Sequence, residues 1–480
     1  MELDFKYLVS RRRLLRAGAC LVSTAVMGSR LSLASEVDEH ELNATHGRAS
    51  LAGADAPWTP VWAYDGMVPG PTLRVQQGRP VRISVVNALD ESTTVHWHGI
   101  RLPNAMDGVP GLTQAPIKPG ESFTYEFTPP DAGTFWYHPH ADSLQQIGRG
   151  LAGALVVEEA DPIVVDRDLL WTLQDWRLTK DGQIAPGFGS MMDAAMSGRV
   201  GNIVTINGAP PGDQTVRAGE RVRLRLVNAA LARMMALRFE GHRPIIVAID
   251  GQPCEPREPQ GGRIVLAPAM RIDVVLDLQG DPGSRHAVTD DFYDGLAYTL
   301  TSFVYSSEPP LRANPLDAPV RLPANPLPIP NLADAVRQEI VLQGGMMGGG
   351  KLKGVGGMVG MAMPGMNGGP AWAINGMSMT GDGHAGMAPL FTLQRGASCR
   401  LTMRNETAWW HPMHIHGFSL SLLARNGESV PHGQWQDTVL LAPKDTLECA
   451  FVADNPGDWM LHCHVTDHQM AGLMTVFRVT

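Results

Sequence analysis

Ten of the sixteen histidines in this 480-residue chain lie in four short motifs around one cysteine. The motifs are HWHG with His96 and His98, WYHPH with His138 and His140, HPMHIHG with His411, His414 and His416, and HCHVTDH with His462, His464 and His468. Alternate residues of a β-strand point to the same face, so each His-X-His pair can present two imidazoles to one cavity. An isolated histidine is usually an ordinary polar residue, whereas ten at these spacings around Cys463 predict a nitrogen-lined metal site.

The donor types narrow the choice of metal. Imidazole suits copper, zinc, iron or nickel, whereas one thiolate with two imidazoles in trigonal geometry is the ligand set of a blue copper centre. Cys463 with His411 and His468 fits that set. The remaining histidines are interpreted as ordinary polar residues: His40, His46, His242, His286, His384 and His432.

The strands that must position these motifs can be predicted from a sequence segment that occurs three times and is called here the repeated phrase. The segments from Gly78 to Asn87, Gly219 to Asn228 and Gly396 to Asn405 contain VRISVVN, VRLRLVN and CRLTMRN, whose alternation is typical of strands. Each phrase follows a turn pair: Asp65-Gly66, Asn207-Gly208 or Asn375-Gly376. Together with 52 glycines, 37 prolines and only 18% charged residues, the repeat predicts an all-β chain of three homologous β-sandwich domains.

The middle copy lacks the metal-binding motifs. Nine residues after the Asn of each phrase come His96-Trp97-His98, Leu237-Arg238-Phe239 and His414-Ile415-His416. Five residues after Gly133 and Gly457 come the other two histidine pairs. Metal chemistry is therefore predicted for the first and third copies, at their mutual interface, with the second copy as a spacer.

Domain limits follow from the repeat and from composition. We predict a first domain at 36–160, a second at 161–309 without copper ligands, and a third at 335–480. A Pro-rich linker at 310–334 precedes the third domain, which carries a Gly/Met-rich insertion at 344–369.

The four motifs and the threefold repeat resemble the multicopper oxidase family, in particular its three-domain bacterial laccases and copper-resistance proteins. The resemblance covers essentially the whole mature chain and implies three consecutive cupredoxin-like Greek-key β-sandwich domains that hold four copper ions. It implies type 1 copper on His411, Cys463 and His468, type 2 copper on His96 and His414, and paired type 3 coppers on His98, His138, His140, His416, His462 and His464. Every ligand position of the family is filled.

The neighbours of Cys463 bear on how this site would work. Cys463 lies between His462 and His464, so an electron that enters at its copper has a covalent path to both type 3 ions. The family's axial position, five residues after His468, holds Leu473. A residue without a lone pair favours Cu(I) and predicts a high potential. Alternatively, Leu473 is plain core packing and a nearby methionine, Met470 or Met474, bends in.

Three aspartates are candidate catalytic residues. Reduction of dioxygen consumes protons, and Asp107 and Asp467 match acidic positions that the family uses for proton relay. Their alternatives are an ordinary Asp-Gly turn and a solvated loop charge. Asp437, in WQDTV, aligns with a family aspartate beside the type 1 histidine and is expected to orient that imidazole, with a strand-end hydrogen bond as the alternative.

The predicted activity couples one-electron oxidation of a donor at type 1 copper to four-electron reduction of dioxygen to water at the other three. Phenols, aromatic amines and Cu(I) are the candidate donors. Thioethers select Cu(I), which favours copper handling by the methionines between Met346 and Met387, and a flexible lid or a disordered loop is the alternative. Two other functions remain open, a Mn(II) oxidase and a non-enzymatic scaffold.

The N-terminus predicts export. SRRRLLR, from Ser10 to Arg16, resembles the twin-arginine motif, and an apolar run too short to span a membrane leads to Ser32-Leu33-Ala34 as a cleavage site. A membrane anchor or an ordinary secretion signal is the alternative. Removal of residues 1–34 would take the net charge from −9 to −13, which argues against nucleic acid as a partner. We expect a periplasmic protein without a stable membrane span, in which Cys254, Cys399 and Cys449 are free to form a disulfide that the sequence does not assign.

Overall fold

Each of the three sequence repeats forms its own pair of β-sheets in the computed structural model, which describes residues 37–346, 371–381, 384 and 386–480. The prediction of an all-β chain of β-sandwiches is confirmed. The predicted signal peptide and residues 347–369 of the predicted insertion lie outside the described residues. Within the described part, no helix combines the length and apolar character needed to cross a membrane.

The first repeat contains two four-stranded sheets. Its strands are β1 (Asp38–Ala49), β2 (Thr59–Tyr64), β3 (Gly70–Gln76), β4 (Val81–Asn87), β5 (His96–His98), β6 (Ser122–Phe127), β7 (Gly133–His138) and β8 (Gly153–Glu158). The sheet orders are β2-β1-β4-β6 and β3-β8-β7-β5. Strand β5 therefore lies at an edge, where its two histidines can meet another part of the chain.

The second repeat has a six-stranded and a five-stranded sheet. Its strands are β9 (Arg167–Trp176), β10 (Ile203–Ile206), β11 (Gln214–Val216), β12 (Arg221–Asn228), β13 (Met235–Phe239), β14 (Ile245–Ile249), β15 (Gln252–Arg257), β16 (Ile264–Leu266), β17 (Arg271–Asp277), β18 (Arg285–Asp290) and β19 (Tyr298–Tyr305). The sheet orders are β10-β9-β12-β17-β14-β15 and β11-β19-β18-β13-β16. Leu237 and Phe239, which stand where the other repeats have histidines, are buried in the apolar core.

The third repeat has a seven-stranded and a five-stranded sheet. Its strands are β20 (Val336–Gly344), β21 (Trp372–Ile374), β22 (Thr392–Leu393), β23 (Ser398–Asn405), β24 (His411–Ile415), β25 (Leu420–Arg425), β26 (Glu428–Ser429), β27 (Trp435–Gln436), β28 (Thr438–Leu441), β29 (Thr446–Val452), β30 (Gly457–Cys463) and β31 (Met474–Val479). The sheet orders are β21-β20-β23-β29-β25-β26, with β27 paired to β25, and β22-β31-β30-β24-β28. The described helices are short: α1 (Ser143–Gly148), α2 (Met191–Ala195), α3 (Thr466–Met470) and 3-10 turns at Asn104–Met106 and Gln260–Gly262.

The three turn pairs seen in the sequence adopt one conformation. Asp65, Asn207 and Asn375 have φ of 51°, 52° and 51°, and the glycine after each also has a positive φ. Two successive residues with positive φ make the tight turn that suits the twist of a β-hairpin. In each copy, a side-chain oxygen of the first turn residue accepts a backbone N–H, from Asn43, Thr172 and Val341 respectively. The three copies therefore share this hydrogen bond as well as the turn sequence.

The asparagine that ends each repeated phrase has the same structural role in all three copies. Its side-chain N–H groups donate to a carbonyl four or five residues later, in Glu91, Arg233 and Trp409 respectively. Its side-chain oxygen accepts the N–H two residues on, from Leu89, Ala230 and Thr407. These buried hydrogen bonds fix the loop that leads from the repeated strand to the strand where the first and third repeats carry their His-X-His pair.

Apolar packing joins the repeats into one body. One buried cluster lies within the first repeat, whereas the largest cluster runs continuously through the second and third repeats. Val109 of the first repeat packs on Met460, Met474 and Val476 of the third. Residues from Glu36 to Thr480 form a single compact unit, and the limits between the three domains stay a prediction.

Candidate metal centre

Strand pairing brings the histidine motifs into register. Strand β5 pairs with β7 so that His96 lies opposite His138, and β24 pairs with β30 so that His414 lies opposite His462. Both pairs are antiparallel, and the His-X-His alternation turns the imidazoles of each strand to the same side. The two pairs of strands meet at the contact between the first and third repeats.

Eight imidazoles meet at this contact and are called here the eight-histidine cluster. Its members are His96, His98, His138, His140, His414, His416, His462 and His464. Ring nitrogens that face one another lie 3.4 Å apart between His96 and His414 and 3.0 Å apart between His416 and His462. His138 Nε2 lies 3.4 Å from both His98 Nδ1 and His464 Nε2. Facing nitrogens at such distances suit shared metal ions.

The electrostatics of the cluster favour the metal-binding form of histidine. All eight side chains are buried, with at most 2% exposure. Burial, followed by repulsion from neighbouring imidazoles, lowers the pKa of His98, His140, His416 and His464 well below the usual value. A neutral imidazole keeps the lone pair that binds a metal. These buried nitrogen donors therefore suit copper.

Four of the eight imidazoles are fixed through Nδ1 by a backbone carbonyl. The backbone carbonyls of Asp107, Pro139, Asp437 and Cys463 lie 2.8–3.0 Å from Nδ1 of His96, His138, His414 and His462. Such contacts set the tautomer and aim the other nitrogen at the metal. The fixed rings point Nε2 into the cluster.

A second group, the His–Cys–His group, consists of His411, Cys463 and His468. Cys463 Sγ lies 3.5 Å from His411 Nδ1 and 3.8 Å from His468 Nδ1, and these two nitrogens are 3.2 Å apart. The indole ring of Trp372 packs on both imidazoles. All three donors are buried, so the donor set of a blue copper centre is present in a dry apolar setting.

The orientation of the His–Cys–His imidazoles has sources that the sequence did not indicate. Thr407 Oγ1 lies 2.9 Å from His411 Nε2, and the carbonyl of Met196 lies 2.7 Å from His468 Nε2. Both contacts leave Nδ1 free to face the sulfur. Met196 belongs to the second repeat, whose loop after α2 thus reaches this group.

The described contacts of Asp437 lie at the eight-histidine cluster, whereas the sequence predicted a contact with a type 1 histidine. Its Oδ1 is 3.1 Å from His98 Nε2, and its backbone carbonyl is 2.9 Å from His414 Nδ1. The cause is strand register: β24 and β28 pair His414 with Thr438, which sets Asp437 at the eight-histidine cluster, while His411 lies three residues away along the strand.

Asp107 lies where a carboxylate near the cluster was predicted. Its Oδ2 is 2.8 Å from His416 Nδ1 and its Oδ1 is 3.3 Å from His96 Nδ1. The side chain is 1% exposed. One carboxylate therefore contacts a histidine from the first repeat and another from the third.

Asp467 is placed differently from Asp107. Its Oδ2 accepts the backbone N–H of Arg199 at 2.7 Å, and its Oδ1 has no hydrogen-bond partner in the described part of the chain. Burial, followed by repulsion from Asp193, raises the pKa of Asp467 to about 6. Its described contacts lie with the loop after α2, because α3 turns the side chain toward the second repeat, and the structure does not bring it to the eight-histidine cluster. It is therefore not the solvated loop charge that was its alternative.

Leu473 precedes β31 and Met474 begins it, and the two side chains lie in different apolar clusters. Leu473 is fully buried in the same apolar cluster as Cys463. Met474 belongs to a separate cluster with Val109 and Met460, at the contact with the first repeat. Met474 thus packs away from the cluster that contains Cys463.

The remaining cysteines and histidines mostly lie apart from the metal groups. Cys254, Cys399 and Cys449 are buried free thiols. His384 differs from the ordinary polar residue predicted for it. Its ring is 5.8 Å from that of His140, it is 1% exposed, and neither ring nitrogen has a partner among the described residues.

A cavity of about 560 Å³ lies between the second and third repeats, beside the His–Cys–His group. His468 forms part of its wall. The other large side chains that line it are Met234, Arg263, Phe292, Tyr293, Trp409 and Trp410. Trp410 is 39% exposed and its ring meets Phe292 edge to face at 5.5 Å. The cavity therefore places a partly exposed aromatic wall beside the buried imidazole of His468.

Comparison with known proteins agrees with this arrangement. Multicopper oxidase family models match residues 45–162, 167–297 and 365–480. A multi-copper oxidase from Pseudomonas thermotolerans is 34% identical, with 93% of this chain and 100% of that chain covered and a TM-score of 0.80. Multicopper oxidase MmcO of Mycobacterium tuberculosis is 29% identical, over 86% of this chain and 82% of its own length. Copper resistance protein A of Escherichia coli is 25% identical, over 86% and 88%. The chain belongs to the multicopper oxidase family, and it is a copper-dependent oxidoreductase that uses oxygen and four copper ions.

Proposed function

We propose that this oxidase takes single electrons from a donor at the His–Cys–His group and delivers four of them to dioxygen at the eight-histidine cluster, with water as product. The type 1 ion would be held by His411, Cys463 and His468, and the type 2 ion by His96 and His414. The type 3 ions would be held by two trios, His98 with His138 and His464, and His140 with His416 and His462. Bound copper supplies the one-electron redox chemistry.

The observation that carries this proposal is the position of Cys463 between the two trios. Its neighbour His462 belongs to one trio and its neighbour His464 to the other. The tripeptide therefore joins the donor side to both halves of the cluster through a few covalent bonds. Asp107, in contact with His96 and His416, is the residue that would hold and pass a proton there.

Aromatic donors are supported by the cavity beside His468. Phe292, Trp409 and Trp410 offer flat apolar contacts, and Arg263 and Asp294 place charges at the same cavity. Phenols and aromatic amines combine a ring with a polar group, which matches such a lining.

Cu(I) is a second candidate donor, supported by methionines near the same group. Met191 and Met192 of α2 are 46% and 60% exposed, and the backbone N–H of Met346 donates to Ala195 at the end of that helix. Met346 begins the methionine-rich tract, which continues outside the described residues. Thioethers select Cu(I), and one relative is named as a copper resistance protein.

Two variants separate these donors. Deletion from Gly345 to Gly368 is expected to lower steady-state turnover of Cu(I) selectively. Trp410→Ala is expected to lower phenol turnover about fivefold, because an aromatic contact contributes about 1 kcal/mol. Each variant is the control for the other, and oxygen uptake with Cu(I), a phenol and Mn(II) is the measurement. Equal loss for all donors in the deletion variant would mean that the tract does not serve cuprous oxidation.

Two other functions are less well supported. The candidate metal groups of the described residues include one carboxylate, Asp437, and it is paired with Arg271, so a dedicated Mn(II) site is not favoured. A non-enzymatic scaffold is disfavoured by the complete donor sets. Copper-loaded protein without a blue absorption band would restore the scaffold as the better reading.

Leu473 is expected to give the type 1 site a high reduction potential. Leu473→Met would place a thioether in the apolar cluster beside Cys463, stabilise the oxidised metal and lower the potential in a redox titration followed by electron paramagnetic resonance. Met474→Leu is the matched control, because Met474 lies in a different cluster, and its potential should equal that of the wild type. An unchanged or raised potential in Leu473→Met would contradict the axial assignment.

We also propose a periplasmic location, with export by the twin-arginine machinery. The support is the SRRRLLR motif and the apolar run after it. Replacement of Arg11, Arg12 and Arg13 by lysine should leave the protein in the cytosol, as measured by cell fractionation. Undiminished export would point to an ordinary secretion signal.

A further inference from the structure

The second repeat supplies no ligand, yet it reaches into the eight-histidine cluster through Arg271. This residue begins β17 and is fully buried. Its Nη1 donates to Asp437 Oδ1 at 2.8 Å and its Nη2 donates to Asp437 Oδ2, so the guanidinium grips the carboxylate with two parallel hydrogen bonds. Bidentate pairs of this kind fix direction as well as distance.

Asp437 in turn contacts ligands from both other repeats. Its Oδ1 faces His98 Nε2 at 3.1 Å, and its carbonyl accepts from His414 Nδ1 at 2.9 Å. Thr438 Oγ1 donates to the same Oδ1 at 2.8 Å. A shift of Asp437 would therefore turn one proposed type 2 ligand and one proposed type 3 ligand together.

Asp250, a second residue of the middle repeat, also links Arg271 to the strand that follows Asp437. Asp250 accepts the backbone N–H of Arg271 through Oδ1 and that of Thr438 through Oδ2, each at 3.0 Å. Asp250 thereby ties the strand that carries Arg271 to the strand that follows Asp437. Both strands are held in register across the boundary between repeats.

The backbone at Gly99 packs so closely against the Arg271–Asp437 ion pair that it leaves no space for a side chain. Gly99, next to His98, has φ of 87°, and a Cβ there would lie 2.3 Å from Arg271 Nη2 and 2.5 Å from Asp437 Oδ2. Such distances are shorter than any real contact, and a side chain at this φ is unfavourable as well. The first repeat therefore approaches the ion pair by its bare backbone.

We infer that Arg271 is a positioning residue for copper, which locks Asp437 across His98 and His414 and so makes the middle repeat part of the oxygen-reducing site. The inference rests on the assignment of these histidines under the proposed function. It corrects the expectation that the second copy acts only as a spacer.

The test compares three buried arginine variants in fully copper-loaded enzyme. Arg271→Gln should weaken retention of the copper at the eight-histidine cluster by about 10- to 100-fold and change the type 2 electron paramagnetic resonance signal, with the blue band of the type 1 site retained. Arg271→Lys keeps the positive charge but cannot form the two parallel hydrogen bonds to Asp437, so it should restore only part of the copper retention. Copper retention is measured as the number of copper ions per chain that remain during dialysis against a chelator.

The matched control is Arg225→Gln. Arg225 is equally buried, lies on the strand next to β17 and forms ion pairs with Asp168 and Asp273, without contact to Asp437. The Arg225→Gln substitution should lower thermal stability while copper content and the type 2 signal stay unchanged.

The outcomes separate the inference from the proposed function. Unchanged retention and an unchanged type 2 signal in both Arg271 variants would overturn the inference, as would equal copper loss in Arg225→Gln. If Arg271→Gln does not fold, Arg271→Lys with wild-type retention and signal is sufficient to overturn it. Wild-type protein that shows neither a blue band nor a type 2 signal would instead contradict the proposed function.

Discussion

Replacement of Cys463 by serine is expected to remove the blue absorption of the copper-loaded protein and to lower turnover of every donor by about a thousandfold or more. The loss is large because Cys463 serves both as a proposed ligand and as the link between His462 and His464, and residues that act as a unit lose nearly all of their effect together. The near-ultraviolet band of the paired coppers should persist, because their six proposed imidazole ligands are unchanged. Absorption spectroscopy and oxygen uptake are the measurements.

Cys449→Ser is the control for this variant. Cys449 is also fully buried and its thiol donates to Leu401, away from both metal groups. The variant should remain blue and active, with some loss of stability from placing a hydroxyl in the core. Turnover by Cys463→Ser at more than a few per cent of wild type would show that electrons enter by another route.

Asp107→Asn is expected to keep the blue band and to lose most turnover, by roughly 10²-fold. The carboxylate faces Nδ1 of both His96 and His416, so its replacement by an amide removes a proton carrier and places N–H groups near two imidazoles. Reduction of the blue band by a donor under anaerobic conditions should be unaffected, whereas its return on addition of oxygen should slow. Stopped-flow absorption separates these two half-reactions.

Asp131→Asn controls for the loss of a buried carboxylate in the same repeat. Asp131 is 2% exposed and pairs with Arg101, with no described contact to the histidine cluster. Its variant should be less stable but equally fast in reoxidation. Full oxygen reactivity in Asp107→Asn would remove the proposed proton role.

The sequence predicted those features that follow from local patterns. Alternation along strands placed each His-X-His pair on one face, and the recurring asparagine and turn pairs revealed three copies of one sandwich. These properties depend on spacing within a segment.

Contacts between repeats were the part that the sequence did not predict. The side chain of Asp437 meets His98, which is 339 positions away, and no local pattern encodes that register. Asp467 stands next to His468 in the chain, yet a short helix turns it toward Arg199. Arg271 gave only a weak signal, because it shares the segment MRIDVVLDL with Asp273 and Asp277, and charged residues spaced along a strand are common at surfaces.

The chain of contacts from Gly99 through Arg271 to Asp437 has a consequence for biogenesis. Residues near positions 99, 271 and 437 must all be in place before His98 and His414 are oriented, so a truncated or half-folded polypeptide would present an incomplete cavity to the metal. If Arg271 positions these ligands as inferred, copper binding would depend on completion of the entire polypeptide. A cell that exports this protein already folded would, by the same contact, export it ready for metal.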